Sequence, residues 1–357
     1  MRAAAECNVD CIRGAQGTAR PTVAQRFMVP VHDNSFASKP PSVALPVRRL
    51  ANGAKPFRPM RTAGPMLCAY LVLLAATVTE AARPWPDSSA RIVVFADQLP
   101  GDLNAAQRAF AATHLAGTQK MRRADLQALR AYNPDFLCLH YQLAVGAGAH
   151  AFVVGDVWTS DWAQVNSHES WFLHNPSGQR VHQTAWDWDL MDITYTGTTP
   201  NTGFPDYWIT NCLARIATNL NDGVFADSFT VDAYGFGQCD PSHPWLEDVD
   251  ACRDNWLPHL TKFGGQVRAA FEANPNGFLF LPNLGALVTG WDPLDYGLGH
   301  GGMIEGFAFW GPDSYFDPAD WALQASRALE LARQDKVVIC QAYPAVSNYR
   351  ERLFATA

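Results

Sequence analysis

The stretch "DGVFADSFTVDAY", residues 222–234, contains a short apolar run that ends in a carboxylate. Val224, Phe225 and Ala226 are typical of a strand buried on both faces, and Asp227 follows where the chain leaves that strand. A carboxylate beside a buried strand is costly in free energy unless it is paired or has a chemical role. The stretch therefore predicts a polar site at the carboxyl end of a buried strand.

The same kind of apolar run recurs along the chain and alternates with helical patterns. Strands are predicted over six further stretches, residues 91–97, 135–143, 190–194, 277–283, 302–310 and 336–343. Residues 206–220 carry apolar side chains at helical spacing, namely Ile209, Leu213, Ile216 and Leu220. A second helix is predicted after Asp317, a candidate N-cap, with Pro318 at its first position. Such alternation predicts parallel strands joined by crossover helices.

Seven predicted strands favour an α/β fold of the (β/α)8 TIM-barrel type. An open doubly wound sheet is the alternative, but no G-x-G-x-x-G motif follows the first strand, which weakens a nucleotide-binding version of that fold. The sequence ends at "NYRERLFATA", residues 348–357, within a predicted helix after the seventh strand. We therefore expect a barrel that lacks its last strand and helix through C-terminal truncation.

The N-terminal part of the chain has the composition of a targeting region. Residues 60–82 combine a charged start, an apolar stretch too short to span a bilayer comfortably and small residues for cleavage, which is the layout of a secretory signal peptide. Residues 1–59 are interpreted as an unstructured extension from a mis-assigned start, and residues 88–357 as one barrel domain. These features predict a secreted or periplasmic protein. The alternatives are a membrane-anchored protein, or an organellar one if residues 1–59 form a transit segment.

Charge and cysteine content restrict the classes of partner. Residues 1–60 hold 9 Lys and Arg against 3 Asp and Glu, a net charge of +6, and because the whole chain carries −7 the remainder carries −13. Such an acidic body predicts no nucleic-acid partner, and membrane contact is expected only through the N-terminal apolar segment if it is uncleaved. Cys239 and Cys252 flank a loop and would form a disulfide in an exported protein; the alternative is that they are small buried hydrophobic residues.

Two acidic residues at the ends of predicted strands form a candidate catalytic pair. Asp227 ends the fourth strand, and Glu305 lies among apolar residues on the sixth. Because the carboxyl ends of barrel strands meet at one face, we expect both carboxylates at one site. Glycoside hydrolysis needs one carboxyl group as proton donor and another as nucleophile or base. The apolar surroundings of Glu305 favour the acid role, which leaves the ionised role to Asp227.

Further residues near predicted strand ends are candidates for substrate binding. They are Asp97 on the first strand, His140 and Tyr141 on the second, Asp192 on the third, Asp232 after the fourth, Asn283 on the fifth, Trp310 after the sixth and Tyr343 on the seventh. A ring such as that of Trp310 would stack on a sugar, although packing is the commoner role of a tryptophan. Asp192 would alternatively anchor its loop, and Asp232 would alternatively be solvated. No HExxH or G-x-S-x-G motif is present, and we expect neither cofactor nor metal.

The order of three short motifs resembles a known family. The motifs are "FLHNPSGQRV" (172–181), "WDWDLMDIT" (186–194) and "NDGVFADSFTVDAY" (221–234). They resemble the hypothetical glycosyl-hydrolase-like family numbered fifteen, and are more distantly similar to endo-α-1,4-polygalactosaminidases and the α-galactosidase clan. The resemblance covers residues 90–357 and implies a TIM barrel with Asp227 and Glu305 as catalytic pair. The α-galactosidase clan carries a lysine shortly before its nucleophile, but "DGVFAD" has none, so galactose specificity does not carry over.

Together these features predict a glycoside hydrolase that cleaves O-glycosidic bonds of a polysaccharide or oligosaccharide, with carbohydrate as its partner. The first alternative is a non-catalytic carbohydrate-binding barrel, an inactive relative of such enzymes. A second alternative is an enzyme of another type on the same fold, because a fold does not fix a function. The distance between Asp227 and Glu305 is the measurement that best tests the pairing.

Overall fold

The computed structural model describes residues 81–87, 93–149, 158–159, 161–183, 187–229, 254–288, 298–309, 311, 314–345 and 347–356. Several sequence-based predictions lie outside this part of the chain: the extension over residues 1–59, residues 60–80 of the signal peptide, Asp232, Trp310 and the Cys239–Cys252 disulfide. Among the described residues, no helix has both the length and the apolar character needed to cross a membrane.

Short strands and longer helices alternate along the described chain. The strands are β1 (Phe95–Gln98), β2 (Gly117–Gln119), β3 (Leu137–Leu143), β4 (Gly146–Ala147), β5 (Trp158–Thr159), β6 (His182–Gln183), β7 (Trp188–Leu190), β8 (Tyr195–Thr196), β9 (Thr199–Pro200), β10 (Gly223–Asp227), β11 (Leu279–Pro282), β12 (Gly301–Glu305) and β13 (Val337–Gln341). The helices are α1 (Ala105–His114), α2 (Arg123–Arg130), α3 (Trp162–Val165), α4 (Phe204–Asn219), α5 (Leu257–Glu272), α6 (Pro318–Arg333) and α7 (Tyr349–Thr356).

A parallel sheet forms the centre of the molecule. Its strand order is β1-β2-β3-β10-β11, every neighbouring pair is parallel, and β5 also pairs with β3. Strands β12 and β13 form a second parallel pair, and a parallel bridge between Asn283 and Met303 connects the end of β11 to β12. The protein is therefore a mixed α/β protein with a parallel central sheet. This confirms the predicted class and the predicted strands that correspond to β1, β3, β10, β11, β12 and β13.

Two details of the strand prediction are wrong. The run at residues 190–194 was expected to be a parallel strand, but β7 pairs antiparallel with β4 and β6 in a separate three-stranded sheet. Conversely, β2 is a central parallel strand of three residues, Gly-Thr-Gln, with no apolar run to predict it. An apolar run indicates that a strand is buried, but it does not indicate the direction of the neighbouring strand.

Helix α4 covers the sheet with a buried face that only partly matches the predicted one. In α4 the fully buried positions include Trp208, Cys212 and Ile216, so the buried stripe is centred next to the predicted one and shares Ile216 with it. The Trp208 indole N–H donates to the Leu143 carbonyl at 2.7 Å, which fixes α4 against the end of β3. Helix α6 begins as predicted, because the Asp317 side chain accepts hydrogen bonds from the first turn.

A buried ion-pair cluster ties the strands together at the end opposite Asp227. Asp222, directly before β10, is completely buried and accepts hydrogen bonds from the Arg130 guanidinium at 2.8 Å and the Arg83 guanidinium at 3.2 Å. It also accepts the backbone N–H of Cys138 on β3 at 2.8 Å. One carboxylate thus links β3, β10, α2 and the segment before β1.

Burial is uneven across the parallel strands. Every residue of β3 is buried, as are the first four residues of β10. The outer strands β1 and β13 are instead mostly half-buried, and β13 includes the exposed Cys340. Gly301 lets strand β12 approach β13 closely, since a Cβ at this position would lie only 1.9 Å from the Val337 carbonyl oxygen. The middle strands β3 and β10 are therefore well covered, and β1 and β13 are less covered.

Candidate active site

The carboxyl ends of the parallel strands contribute polar side chains to one small cavity of about 110 Å³. Its lining consists of Asp97, Lys120, Tyr141, Phe225, Asp227, Asn283, Met303, Glu305, Gln341 and Tyr343. Six of these residues were predicted as site residues, and the structure brings them together from six different strand ends. The convergence follows from the parallel arrangement, since parallel strands end at the same edge of the sheet.

Asp227 is the last residue of β10 and is held by three hydrogen-bond donors. Its Oδ1 accepts the backbone N–H of Ser228 at 2.8 Å and the side-chain amide of Asn283 at 2.8 Å. Its Oδ2 accepts the hydroxyl of Tyr141. Ser228 has a φ of 56°, in the left-handed region, so the backbone turns sharply immediately after the carboxylate. The three donors fix the orientation of this carboxylate in the cavity.

Glu305 is the last residue of β12 and faces Asp227 across the cavity. Its Oε1 accepts the hydroxyl of Tyr343 at 2.6 Å, and its Oε2 accepts the Asn283 amide at 2.6 Å. Burial raises the pKa of Glu305, and the negative charge of Asp227 raises it further, against the opposing effect of the two hydrogen bonds. Glu305 is therefore easier to protonate than an exposed glutamate.

The side chain of Asn283 connects the two carboxylates. Its Nδ2 is 2.8 Å from Asp227 Oδ1 and 2.6 Å from Glu305 Oε2. Those two oxygen atoms are therefore at most 5.4 Å apart, the sum of the two distances. Its Oδ1 accepts the backbone N–H of Gly285 at 2.9 Å, which requires the NH2 group to point at the carboxylates.

Asp97 and Lys120 form an ion pair on another wall of the cavity. The Lys120 ammonium is 3.1 Å and 3.2 Å from the two Asp97 carboxylate oxygens and lies 4.8 Å from the centre of the Tyr141 ring. Asp97 also accepts the Gln119 side-chain amide. Lys120 was not predicted from the sequence because β2, which precedes it, was not predicted. Lys120 has a φ of 59°, a left-handed conformation that is uncommon for a residue other than glycine and is visible only in the structure.

The predicted substrate-binding role of His140 does not agree with its position. Consecutive strand residues point to opposite faces, and since Tyr141 lines the cavity, His140 points away from it. His140 is 1% exposed, and its Nε2 is 3.2 Å from the Gln142 side-chain oxygen. Burial, followed by the nearby charge of Arg215, lowers the pKa of His140 to about 4. The imidazole is thus a neutral buried group beneath α4.

Asp192 also lies outside the cavity lining. Its Oδ1 accepts the backbone N–H of Thr194 at 2.9 Å and the hydroxyl of the same residue. These are the hydrogen bonds of a residue that anchors its own loop, which was the alternative interpretation of Asp192. The expected position at the end of a parallel strand is wrong because the preceding strand β7 belongs to the antiparallel sheet.

The described residues contain no group of three or more His, Cys, Asp or Glu side chains arranged to hold a metal ion. Within the cavity, Lys120 pairs with Asp97, while Asp227 and Glu305 share the Asn283 amide. The arrangement provides two carboxyl groups, of which Glu305 has a raised pKa, and two tyrosine hydroxyls that bond to them. This combination supports nucleophilic and acid–base chemistry on a small polar ligand.

Comparison with known proteins adds a family and a structural neighbour. The model of the family described as "Hypothetical glycosyl hydrolase family 15" matches residues 130–357. No curated protein matches the chain. Among solved structures, the chain is similar to α-L-fucosidase isoenzyme 2 from Paenibacillus thiaminolyticus, with 14% identity and a TM-score of 0.36. The match covers 70% of this chain and 46% of that chain, so this chain spans less than half the length of that relative.

Proposed function

The chain belongs to the hypothetical glycosyl hydrolase family 15, and on this premise we propose that it is a glycoside hydrolase with Asp227 and Glu305 as its catalytic pair. The observation that carries the proposal is the sharing of one amide by two carboxylates that come from strands β10 and β12. Each carboxylate also accepts a tyrosine hydroxyl inside the same cavity. The substrate is a carbohydrate with an O-glycosidic bond, which needs two opposed carboxyl groups for its cleavage.

The surroundings of the two side chains distinguish their roles. Glu305, whose pKa is raised by burial and by Asp227, serves as the proton donor to the leaving oxygen. Asp227, with three hydrogen-bond donors, serves as the ionised nucleophile. This is the assignment predicted from the apolar neighbours of Glu305 in the sequence.

The reaction proceeds in two displacement steps. First, an Asp227 oxygen attacks the anomeric carbon while the bond from that carbon to the leaving oxygen breaks and Glu305 transfers its proton to that oxygen. A glycosyl ester on Asp227 and an ionised Glu305 result. Second, Glu305 takes a proton from water as the water oxygen attacks the anomeric carbon and the ester bond breaks. Asp227 returns as a carboxylate and Glu305 as an acid.

The spacing of the two carboxylates supports retention of anomeric configuration. Retaining enzymes hold their carboxyl groups about 5–5.5 Å apart, whereas inverting enzymes hold them about 6.5–9.5 Å apart to admit a water molecule. The upper limit of 5.4 Å between Asp227 Oδ1 and Glu305 Oε2 agrees with the shorter class. We expect the first-formed product to have the configuration of the substrate.

We also propose that the parallel strands form an arc of a (β/α)8 barrel. In a flat sheet the seven strands from β1 to β13 would extend over six intervals, about 29 Å at about 4.8 Å per interval. Asp97 on β1 and Gln341 on β13 instead line one cavity of about 110 Å³. A sheet that brings its outer strands together in this way is curved as in a barrel.

Four other residues that the sequence predicts as ligand-binding lie at this site. Asp97, Tyr141, Asn283 and Tyr343 line the cavity next to the catalytic pair. The exposed fraction of Tyr343 is 36%, which leaves part of its ring accessible to a ligand. Asp232 and Trp310 lie outside the described residues and remain predictions from the sequence.

The proposal is tested by activity against a panel of aryl glycosides and polysaccharides. Asp227→Asn and Glu305→Gln are each expected to lower kcat/KM by at least a thousandfold, because each removes one of the two carboxyl functions. Asp192→Asn is the matched control, since Asp192 has a comparable carboxylate outside the cavity lining and its variant is expected to retain activity.

Product stereochemistry is measured on the same active substrate by proton NMR during the first minutes of reaction. Full activity in both catalytic variants would refute the assignment of Asp227 and Glu305 as the catalytic pair. Glycan binding without turnover that survives both substitutions would instead support the non-catalytic carbohydrate-binding alternative.

A further inference from the structure

We propose that Asn283 is a positioning residue whose NH2 group holds Asp227 and Glu305 at one spacing and remains bonded to the negative charge as that charge moves between them. The inference rests on the proposed function, since the movement of charge belongs to the two-step reaction. It differs from the ligand-binding role predicted for Asn283 from its position after β11. The geometry points to a contact with the catalytic carboxylates themselves.

The backbone of Asn283 is fixed between the two strands that carry the pair. Its N–H donates to the Ala226 carbonyl on β10 at 2.9 Å, and a parallel bridge joins it to Met303 on β12. The next residue, Leu284, donates its N–H to the Met303 carbonyl at 2.8 Å. Asn283 therefore lies where a short side chain reaches both neighbouring strands at once.

The orientation of the amide is also fixed. Asn283 Oδ1 accepts the Gly285 N–H at 2.9 Å, so a flipped amide would place its oxygen against two carboxylates and lose this bond. Gly285 has a φ of 60°, a left-handed conformation that favours glycine, and this turn brings its N–H back to the side chain. Both amide hydrogens are thereby available to the carboxylates, one for each.

A neutral donor suits a pair that shares one proton. In the resting state Asp227 is charged and Glu305 is protonated; after the first step Asp227 is an ester and Glu305 is charged. Both acceptor oxygens lie within 2.8 Å of the Asn283 amide nitrogen, so the amide group can stabilise either negative charge without moving. A lysine or arginine in this position would favour simultaneous ionisation and hold back the acid proton.

The other titratable groups that face the pair are fixed by different contacts. They are Asp97 on β1, Lys120 after β2, Tyr141 on β3 and Tyr343 after β13. Lys120 is paired with Asp97, the Tyr141 hydroxyl bonds to Asp227, and the Tyr343 hydroxyl bonds to Glu305. The Asn283 amide bonds to both members of the pair.

A measurement without substrate tests the electrostatic part of the proposal. An acid whose pKa is raised in the folded state binds more protons folded than unfolded, so stability is full at low pH and falls as pH rises through the folded pKa. Burial already raises the pKa of Glu305, and loss of the Asn283 donor removes a bond that opposes this rise. The Tm deficit of Asn283→Ala is therefore expected to grow by about 3–6 °C between about pH 4 and about pH 8.

Asn133→Ala is the matched control for this measurement. The Asn133 amide donates to the neutral Ala112 carbonyl at 2.8 Å, and its oxygen accepts the Asp135 N–H at 3.1 Å. Its Tm deficit is expected to be independent of pH. Asn283→Asp, which preserves side-chain shape and adds an acid, is expected to give a deficit that rises more steeply with pH. A constant deficit for both Asn283 variants would overturn the inference.

Activity on the glycoside that the unaltered protein cleaves fastest tests the positioning role. We expect kcat of Asn283→Ala to fall about tenfold to a hundredfold with KM changed less than about threefold. The alkaline limb of the pH profile should move to higher pH, because Glu305 then holds its proton more tightly. An unchanged kcat and an unchanged pH profile would refute the positioning role of Asn283 but not the proposed hydrolase function. A pH-dependent Tm deficit with no cleavage of any glycoside would refute the proposed function but retain the charge coupling.

Discussion

Replacement of Asp222 should expose how strongly the buried ion-pair cluster holds the sheet. In Asp222→Ala, the Arg130 guanidinium, whose side chain is 8% exposed, loses its carboxylate partner at 2.8 Å. Arg83, with a side chain 12% exposed, loses a partner at 3.2 Å, and the Cys138 N–H loses an acceptor at 2.8 Å. Removal of one partner from a buried ion pair costs about 3–5 kcal/mol, a large share of the ~5–15 kcal/mol that stabilises a folded protein.

Urea unfolding at neutral pH, followed by tryptophan fluorescence, measures this loss. With a slope of about 3 kcal/mol per molar for a domain of this size, a loss of about 4 kcal/mol lowers the midpoint by about 1.3 M. Arg130→Met tests the opposite partner. The double variant Asp222→Ala with Arg130→Met should lose less than the sum of the single variants, because the Arg130 charge is removed together with its carboxylate and only Arg83 loses this partner.

Two outcomes would contradict this reasoning about Asp222. A loss below about 1 kcal/mol would mean that the cluster contributes no more than an exposed ion pair. Strict additivity in the double variant would mean that Arg130 and Asp222 do not interact energetically in the folded state. Asp135→Ala, a change to an exposed carboxylate in the turn before β3, is the control and should leave the midpoint almost unchanged.

Further predictions concern single side chains at and behind the cavity. Tyr343→Phe removes the hydroxyl that donates to Glu305 at 2.6 Å, so the pKa of Glu305 should rise. The alkaline limb of the pH–kcat profile should then move to higher pH, and kcat/KM should fall about tenfold. An unmoved profile would count against this contact. His140→Gln should make the protein less sensitive to acid. The folded pKa of His140, about 4, lies below the ordinary 6.5, so the wild-type protein loses stability as pH falls through that interval. Thermal unfolding at stepped pH should therefore show a Tm that depends less on pH in the variant.

The sequence was most informative where strands are long and apolar. The runs that correspond to β3 and β10 were predicted from buried hydrophobic residues, and β10 carried the clearest functional signal, a carboxylate at its end. The same reasoning failed at β2, whose three residues contain no apolar run, and consequently Lys120 was missed. Residues 190–194 were misassigned because an apolar run does not specify its strand partners.

Sequence by itself determined that acidic residues stand at the ends of buried strands. Asp227 and Glu305 could be chosen as a pair because each follows or ends an apolar run, and parallel strands with crossover helices end at one edge. It also determined the class of fold, since alternating strands and helices with apolar periodicity have few ways to bury their apolar faces.

Only the tertiary structure decided which of the neighbouring candidates face the cavity. Strand β3 is buried on both faces, so its composition gives no indication of whether His140 or Tyr141 points inward, and the alternation of side chains then assigns the inward face to Tyr141. The bridge from Asn283 to both carboxylates likewise depends on the register between β10, β11 and β12. Register is set by contacts between residues far apart in the chain, which local sequence patterns do not encode.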